Sequence, residues 1–423
     1  MRRFYTALLW LGLPLVLARL LWRSRHAPAY RERWRERLGF YAGEPFPESL
    51  WIHAVSVGEV QAAQPLIKGL LERHPDLPLV VTTTTPTGAE RLHRLFGAQV
   101  IHSYTPWDLP PVVRRFLDHT RPRLAVVMET EIWPNLFCTC KQRGIPVVLA
   151  NARLSARSAR GYARIGGLTR EALGCIHTLA AQGEADARRF IELGADPARV
   201  QLSGNIKFDL HLPASLHEAA AVMRRLWGEG RPVWVAASTH EGEDEIMLEA
   251  QRRIAAAVPG ALLVLVPRHP ERFDPVAALV RREGFAMVRR SEDRPCTPET
   301  QVFLGDTMGE VPLFLAAADA AFIGGSLVPT GGHNLLEPAA LGVPVAHGPH
   351  MFNFADITRL LHEADAAVEV DGADGLAALL SEWLADASER SRVGENGRRV
   401  VMQNRGALAR LEEIVEETLR AAG

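Results

Sequence analysis

Three carboxylates and a lysine in the first half of the chain have the setting that acid–base chemistry needs. Glu59 ends the motif SVGE, just past the apolar run WIHAV and at the start of a helical pattern. A carboxylate there can take a proton from a hydroxyl, and the positive end of the helix is expected to keep it ionised. Glu129 and Glu131 flank Thr130 in VMETEIWPN. Alternate residues of an extended segment point the same way, so the pair is expected to share a face and one member to have a raised pKa. Lys207, in GNIKFD, is a cation just past a strand, able to meet a carboxylate or a phosphate. His53 falls mid-strand and reads as a core histidine.

The second half offers polar or glycine-containing strand ends instead. Ser238, Thr239 and His240 begin STHEGEDE, Pro267 and Arg268 sit in VPRHPERF, and Met308, Gly309 and Glu310 close GDTMGE. The stretch FIGGSLVPTGGHNLLEPAALGVPVAHGP, residues 322–349, reads as strand, glycine loop, helix and strand. Gly331 and Gly332 are expected to let backbone approach a ligand, and a helix opening at His333 and Asn334 to aim free N–H groups at it. That combination is an anion seat, with Glu337 in the first turn as an acceptor for sugar hydroxyls. Arg268 is the best fork for a phosphate. No Asp-x-Asp motif occurs that would clamp a metal, so no metal site is expected.

Stepping out from these residues, 423 residues call for about two domains. The net charge of −1 argues against a nucleic-acid partner, although nine arginines crowd the first 37 residues. The four cysteines have neither CxxC spacing nor a histidine cluster beside them, so neither a zinc site nor a disulfide framework is expected. Phe4 to Leu21 is the one segment suited to a membrane. Its apolar run between Arg3 and Arg19 is 15 residues, short of the roughly 20 that span hydrocarbon comfortably. With tryptophans 10, 22 and 34 and the arginines around it, the segment is expected to anchor the protein at an anionic cytoplasmic leaflet.

From Trp51 onward, apolar runs of four to eight residues alternate with helical patterns, which predicts parallel sheets with crossover helices. The expected division is a membrane helix over 1–25, a Rossmann-like domain over 26–211, a linker over 212–230, a second Rossmann-like domain over 231–406 and a terminal helix over 407–423. Two doubly wound domains facing each other would place the ligand crevice at the carboxyl ends of their strands.

Together, YTALL, APAYRERWRERLGFY, SVGE, TTTTPTGAER, METEIWPN, NARLSARSARGY, GNIKFD, STHEGE, VPRHPERF, GDTMGE, GGSLVPTGGHNLLEPAALGVPV and GPHMFNF resemble the 3-deoxy-D-manno-octulosonic acid (Kdo) transferases of lipopolysaccharide assembly. The likeness runs through nearly the whole chain, in order. It implies an α/β GT-B glycosyltransferase that moves Kdo from CMP-Kdo to a lipid A precursor (lipid IVA). The reaction would be inverting, without metal or other cofactor, at the cytoplasmic face of the inner membrane and among its lipids. By the same resemblance Glu59 is the general base, and Glu129 and Lys207 stabilise the transition state. Pro267, Arg268, Met308, Gly309, Glu310, Asn334, Leu335, Leu336 and Glu337 would bind CMP, with Ser238, Thr239, His240, Gly331 and Gly332 as additional donor-site candidates. The alternatives are a GT-B enzyme using a UDP-sugar and a non-catalytic binding protein at the membrane surface.

Overall fold

The computed structural model describes residues 1–25, 28–210 and 212–421. The predicted segment ends at residues 26, 211 and 423 fall outside them. The chain divides into two compact units, Met1–Asp209 with Arg405–Gly423, and Leu210–Asn404.

The N-terminal unit is built on seven strands: β1 (Ser49–His53), β2 (Leu79–Thr83), β3 (Ile101–Tyr104), β4 (Pro122–Met128), β5 (Val147–Ala152), β6 (Thr178–Ala181) and β7 (Val200–Leu202). They pair in the order β3-β2-β1-β4-β5-β6-β7, every neighbour parallel. Strands covered on both faces need apolar side chains on both faces, which is why Leu50, Trp51 and Ile52 are consecutive and all buried. One face packs Ile52, Leu66, Val81 and Val126; the other packs Trp51, Phe116, Val127 and Phe137.

The C-terminal unit repeats the plan with β8 (Val233–Thr239), β9 (Leu262–Pro267), β10 (Met287–Arg289), β11 (Val302–Leu304), β12 (Ala320–Ile323), β13 (Val345–His347) and β14 (Ala367–Glu369). Their order is β10-β11-β9-β8-β12-β13-β14, again parallel throughout. The order reverses between β1 and β4 in the first sheet and between β8 and β12 in the second, where β11 is also inserted between β9 and β10, and a crevice opens past the strand ends where neighbouring strands lead off in opposite directions.

Two parts of the expected division change. The stretch 212–230 is no linker: the helix Leu216–Trp227 buries Leu216, Ala220, Met223 and Trp227 on one side. Trp227 stacks edge-on to Phe303, and Arg224 pairs with Asp319 at 2.7 Å, so this helix is part of the C-terminal unit. The terminal helix Ala407–Ala421 belongs to the other unit, burying Ala407, Leu411 and Val415 in the N-terminal core. The Asp209 carboxylate receives the N–H groups of Gly406 and Leu408, both at 2.7 Å, and fixes the returning chain.

The apolar N-terminal segment forms one helix, Arg2–Arg23, long and apolar enough by composition to cross a membrane. Phe4, Leu8, Leu11, Leu15 and Trp22 form an exposed stripe along it. Arg2, Tyr5 and Thr6 lie on the other side, bonded to Glu171 (3.0 Å), Asp108 (3.0 Å) and Asn135 (3.1 Å) of the N-terminal unit.

Candidate active site

Both reversals carry polar side chains. In the N-terminal unit the chain leaves β1 through Ser56, which caps the helix Val57–Arg73, and Glu59 lies in the first turn. Ser56 and Glu59 bond reciprocally: the Glu59 N–H reaches the serine oxygen at 3.3 Å while the serine hydroxyl donates to Glu59 Oε1 at 3.0 Å. The Val55 N–H donates to Oε2 at 2.9 Å. The carboxyl is nonetheless pushed up to about 8, first by burial, then by the charges of Glu131 and Glu129, against the pull of the Val55 and Ser56 hydrogen bonds. This corrects the expectation that the helix start holds Glu59 at a low pKa. Loss of hydration outweighs the helix dipole and the two hydrogen bonds together.

Glu129 follows β4 directly, in a left-handed backbone conformation (φ 56°) that a non-glycine residue adopts at a cost of about 1–3 kcal/mol. Its N–H is bonded to the Ala150 carbonyl, so the turn is built in. The carboxylate lies between two cations, Arg153 at 3.5 Å and Lys207 at 3.7 Å. Asn205 positions Lys207 by accepting its N–H at 3.0 Å. Glu131 takes the Trp133 indole N–H at 2.7 Å, and burial followed by the Glu129 charge raises its pKa. Thus Glu59, Glu129 and Lys207 come together at one strand reversal. His53 is a core residue as read: it is buried, pushed down to about 3, and held at 2.8 Å from Thr82 Oγ1.

In the C-terminal unit the ends of β8 and β9 and the loop after β12 meet in an imidazole cluster. His240 Nε2 and His333 Nε2 are 2.8 Å apart in stacked rings, with the His269 ring edge-on to His240. Burial, with His240, Arg268 and His269 nearby, pushes His333 down to about 4, so the pair shares one proton rather than carrying charge. The exposed Arg268 guanidinium supplies the positive charge here. Arg272 ties the neighbouring turn down through the Thr239 carbonyl (2.8 Å) and Asp244.

Several predicted donor-site residues have other occupations. Thr239 is buried and donates to Asp244 at 2.7 Å, and Pro267, Leu335 and Leu336 are core residues whose side chains face away from solvent. Ser238 is half-buried with φ 61°, a turn that fits Gly324 closely against its carbonyl. Met308 is exposed and Gly309 is open, while Glu310 is bound by Arg290 at 3.0 Å and by Thr307. Asn334 accepts the Leu336 N–H at 3.1 Å and donates to Glu337 at 3.2 Å, and burial raises the Glu337 pKa.

The glycine loop also differs from its reading. A Cβ on Gly331 would strike Asn353 and Phe352, and one on Gly332 would strike Met351. Both positions have positive φ, so the backbone conformation by itself favours glycine there, and the space in front of them is taken by side-chain ends of the same chain. The helix is shorter than expected, Leu336–Leu341. The seat for an anion lies earlier in the loop and is filled from within: Glu243, which the motif analysis passed over, receives the N–H groups of Gly325, Ser326 and Leu327. Arg153, within NARLSARSARGY, carries no local mark of its role, and His333, expected as a helix start, instead pairs with His240. Among the described residues no group of three or more His, Cys, Asp or Glu side chains is placed to hold a metal ion.

Residues 32–210 match the family model described as 3-deoxy-D-manno-octulosonic-acid transferase (kdotransferase). A 3-deoxy-D-manno-octulosonic acid transferase of Haemophilus influenzae is 46% identical over 421 residues, 99% of each chain. One from Bordetella pertussis is 40% identical over 94% of this chain and 96% of its own. A probable mitochondrial transferase of the same name from Arabidopsis thaliana is 33% identical over 86% of this chain and 83% of its own. Among solved structures, a UDP-GlcNAc 2-epimerase from Neisseria meningitidis superposes with TM-score 0.57 at 13% identity, over 88% of this chain and all of that one. Anabaena HepE in complex with UDP gives 0.54 at 13%, over the same shares, and both likenesses are of fold, the two-domain GT-B arrangement. With its motifs, its two parallel sheets and its near full-length relatives in agreement, the chain belongs to the 3-deoxy-D-manno-octulosonic acid (Kdo) transferase family.

Proposed function

We propose that the chain transfers Kdo from CMP-Kdo to a hydroxyl of a lipid A precursor such as lipid IVA, in lipopolysaccharide biosynthesis. The observation that carries the mechanism is Glu59, a buried carboxyl raised to about 8 at the reversal of the first sheet. A base poised near the working pH removes the acceptor proton as the hydroxyl attacks. Attack on the face opposite the departing CMP makes the transfer inverting. Kdo carries a carboxylate at the reacting carbon, and departure of CMP adds charge on phosphate as oxocarbenium character builds. The Glu129–Lys207–Arg153 cluster provides fixed charge of both signs for those changes, and Arg268 meets the leaving phosphate. Asn334, Glu337 and the His240 edge form the rest of the donor site, with Leu335, Leu336 and Met308 to Glu310 contributing backbone. With cationic side chains doing this work, the transfer needs no metal.

The exposed stripe of the Arg2–Arg23 helix faces the lipid in which the acceptor's acyl chains are buried, at the cytoplasmic side of the inner membrane. Its first two turns are bonded to the folded unit, which favours a helix lying on the leaflet over one crossing it. Incubating the protein with CMP-Kdo and lipid IVA and weighing the product by mass spectrometry tests the reading. Each transferred Kdo adds its mass and releases CMP. Glu59→Gln should lose about a hundredfold or more of this rate while still binding CMP; transfer at the wild-type rate would sink the assignment of the base.

A further inference from the structure

Glu243 is fully buried, yet among the described residues no cationic side chain bonds it. Its carboxylate is neutralised by four backbone N–H groups. Oε2 receives His240 at 2.8 Å and Gly325 at 2.7 Å; Oε1 receives Ser326 at 3.0 Å and Leu327 at 2.9 Å. Two donors per oxygen fill the in-plane lone pairs of an ionised carboxylate, and charge-assisted bonds of this length are the strong kind. The donors come from both sides of the reversal in the second sheet, His240 from the end of β8 and the other three from the loop after β12.

The rest of that loop depends on the same clamp. Gly332 N–H and Thr330 Oγ1 both donate to the Gly325 carbonyl, at 2.7 and 2.8 Å. Ser326 Oγ accepts the Gly348 N–H at 2.8 Å, and the Ser326 carbonyl accepts the His350 N–H at 2.9 Å. From Gly332 the chain passes directly to His333, which pairs with His240, and to Asn334. We infer that Glu243 is the positioning residue of the donor site: one buried carboxylate that fixes the loop after β12 against the end of β8, and so sets His240, His333 and Asn334 for the nucleotide. This rests on the donor-site reading above.

The test compares wild type, Glu243→Gln and Glu243→Ala in the full chain. Glutamine keeps the shape but turns an NH2 group toward two of the four N–H donors, so the loop should loosen without a cavity. We expect Glu243→Gln to fold, to exchange the amides of Gly325, Ser326 and Leu327 faster than wild type, and to bind CMP at least tenfold more weakly by titration calorimetry. The KM for CMP-Kdo should rise in parallel while that for the lipid acceptor stays within twofold, a split that general loss of structure would not produce. In Glu243→Ala the four N–H groups still outline a carboxylate seat, and added acetate should restore part of the CMP affinity. CMP binding within twofold of wild type in Glu243→Gln would overturn the inference, as would failure of both variants to fold, which would make the residue a requirement of the core. If wild type itself binds no CMP, the donor-site reading falls and this inference with it.

Discussion

The raised pKa of Glu59 has consequences for rate and for stability. A general base must be deprotonated, so kcat/KM should climb with pH and level off above about 8, and a stopped assay from pH 5 to 9 would show this. For stability the sign is opposite. A carboxyl with a folded pKa near 8 and an unfolded one near 4.5 binds more protons when native, so its contribution is complete below about 4.5 and is lost as pH rises to 8. Glu59→Gln, which cannot ionise, should therefore gain melting temperature relative to wild type as pH rises from 5 to 8. An unchanged difference across that range would show that Glu59 titrates normally. For Arg268→Ala, the expected result is weaker CMP binding by titration with an unchanged unfolding curve, since the side chain is exposed.

At this scale the N-terminal residues were legible and the nucleotide loop less so. SVGE and MET each put a charged residue straight after an apolar strand, and a strand end leaves few directions for it to point. The glycines of the second half were legible as special but not as to why. Close approach to Met351, Phe352 and Asn353 leaves the same sequence mark as close approach to a ligand. Glu243 stands in a run of acidic residues, and nothing local distinguishes a solvated carboxylate from one enclosed by a loop some 80 residues away.

At the scale of elements, β3, β10 and β14 lie at sheet edges and carry the weakest apolar signal. Edge strands are half-solvated and short, so Ile101, Met287 and Glu369 do not extend an apolar run. The stretch 212–230, expected as a linker, holds the helix Leu216–Trp227, and burial of Trp227 decides that it belongs to the C-terminal unit. The Arg2–Arg23 helix is joined to the body by few bonds, so removing residues 1–25 should leave the rest folded. The truncated protein is expected to leave the membrane fraction on flotation with vesicles rich in anionic lipid, and to keep most of its activity on acceptor dispersed in detergent. Equal loss in both assays would mean that the helix does more than anchor.

For the whole molecule, the chain crosses into the second unit at Leu210 and returns at Arg405. The returning helix contributes Leu411 and Val415 to the N-terminal core and pairs Glu412 with Arg73 at 3.0 Å and Glu416 with His74 at 2.9 Å. A chain ending at Asn404 should thus lose the N-terminal unit first, read as rapid proteolysis of residues 28–209 while CMP binding by the other unit persists. The proposal that no metal takes part is checked separately: transfer should proceed at an unchanged rate after exhaustive treatment with EDTA.

The sequence by itself determined the parallel α/β architecture and the family. Those depend on patterns of a few residues: apolar runs of strand length, polar residues following them, and long motifs in fixed order. Only the tertiary structure decided the state of Glu59, the partners of Glu129, the unit to which each flanking helix belongs and the carboxylate that holds the loop after β12. Each of these depends on groups far apart in the chain. Burial sets whether a charge is hydrated, and burial is a property of the packed units rather than of any segment within them.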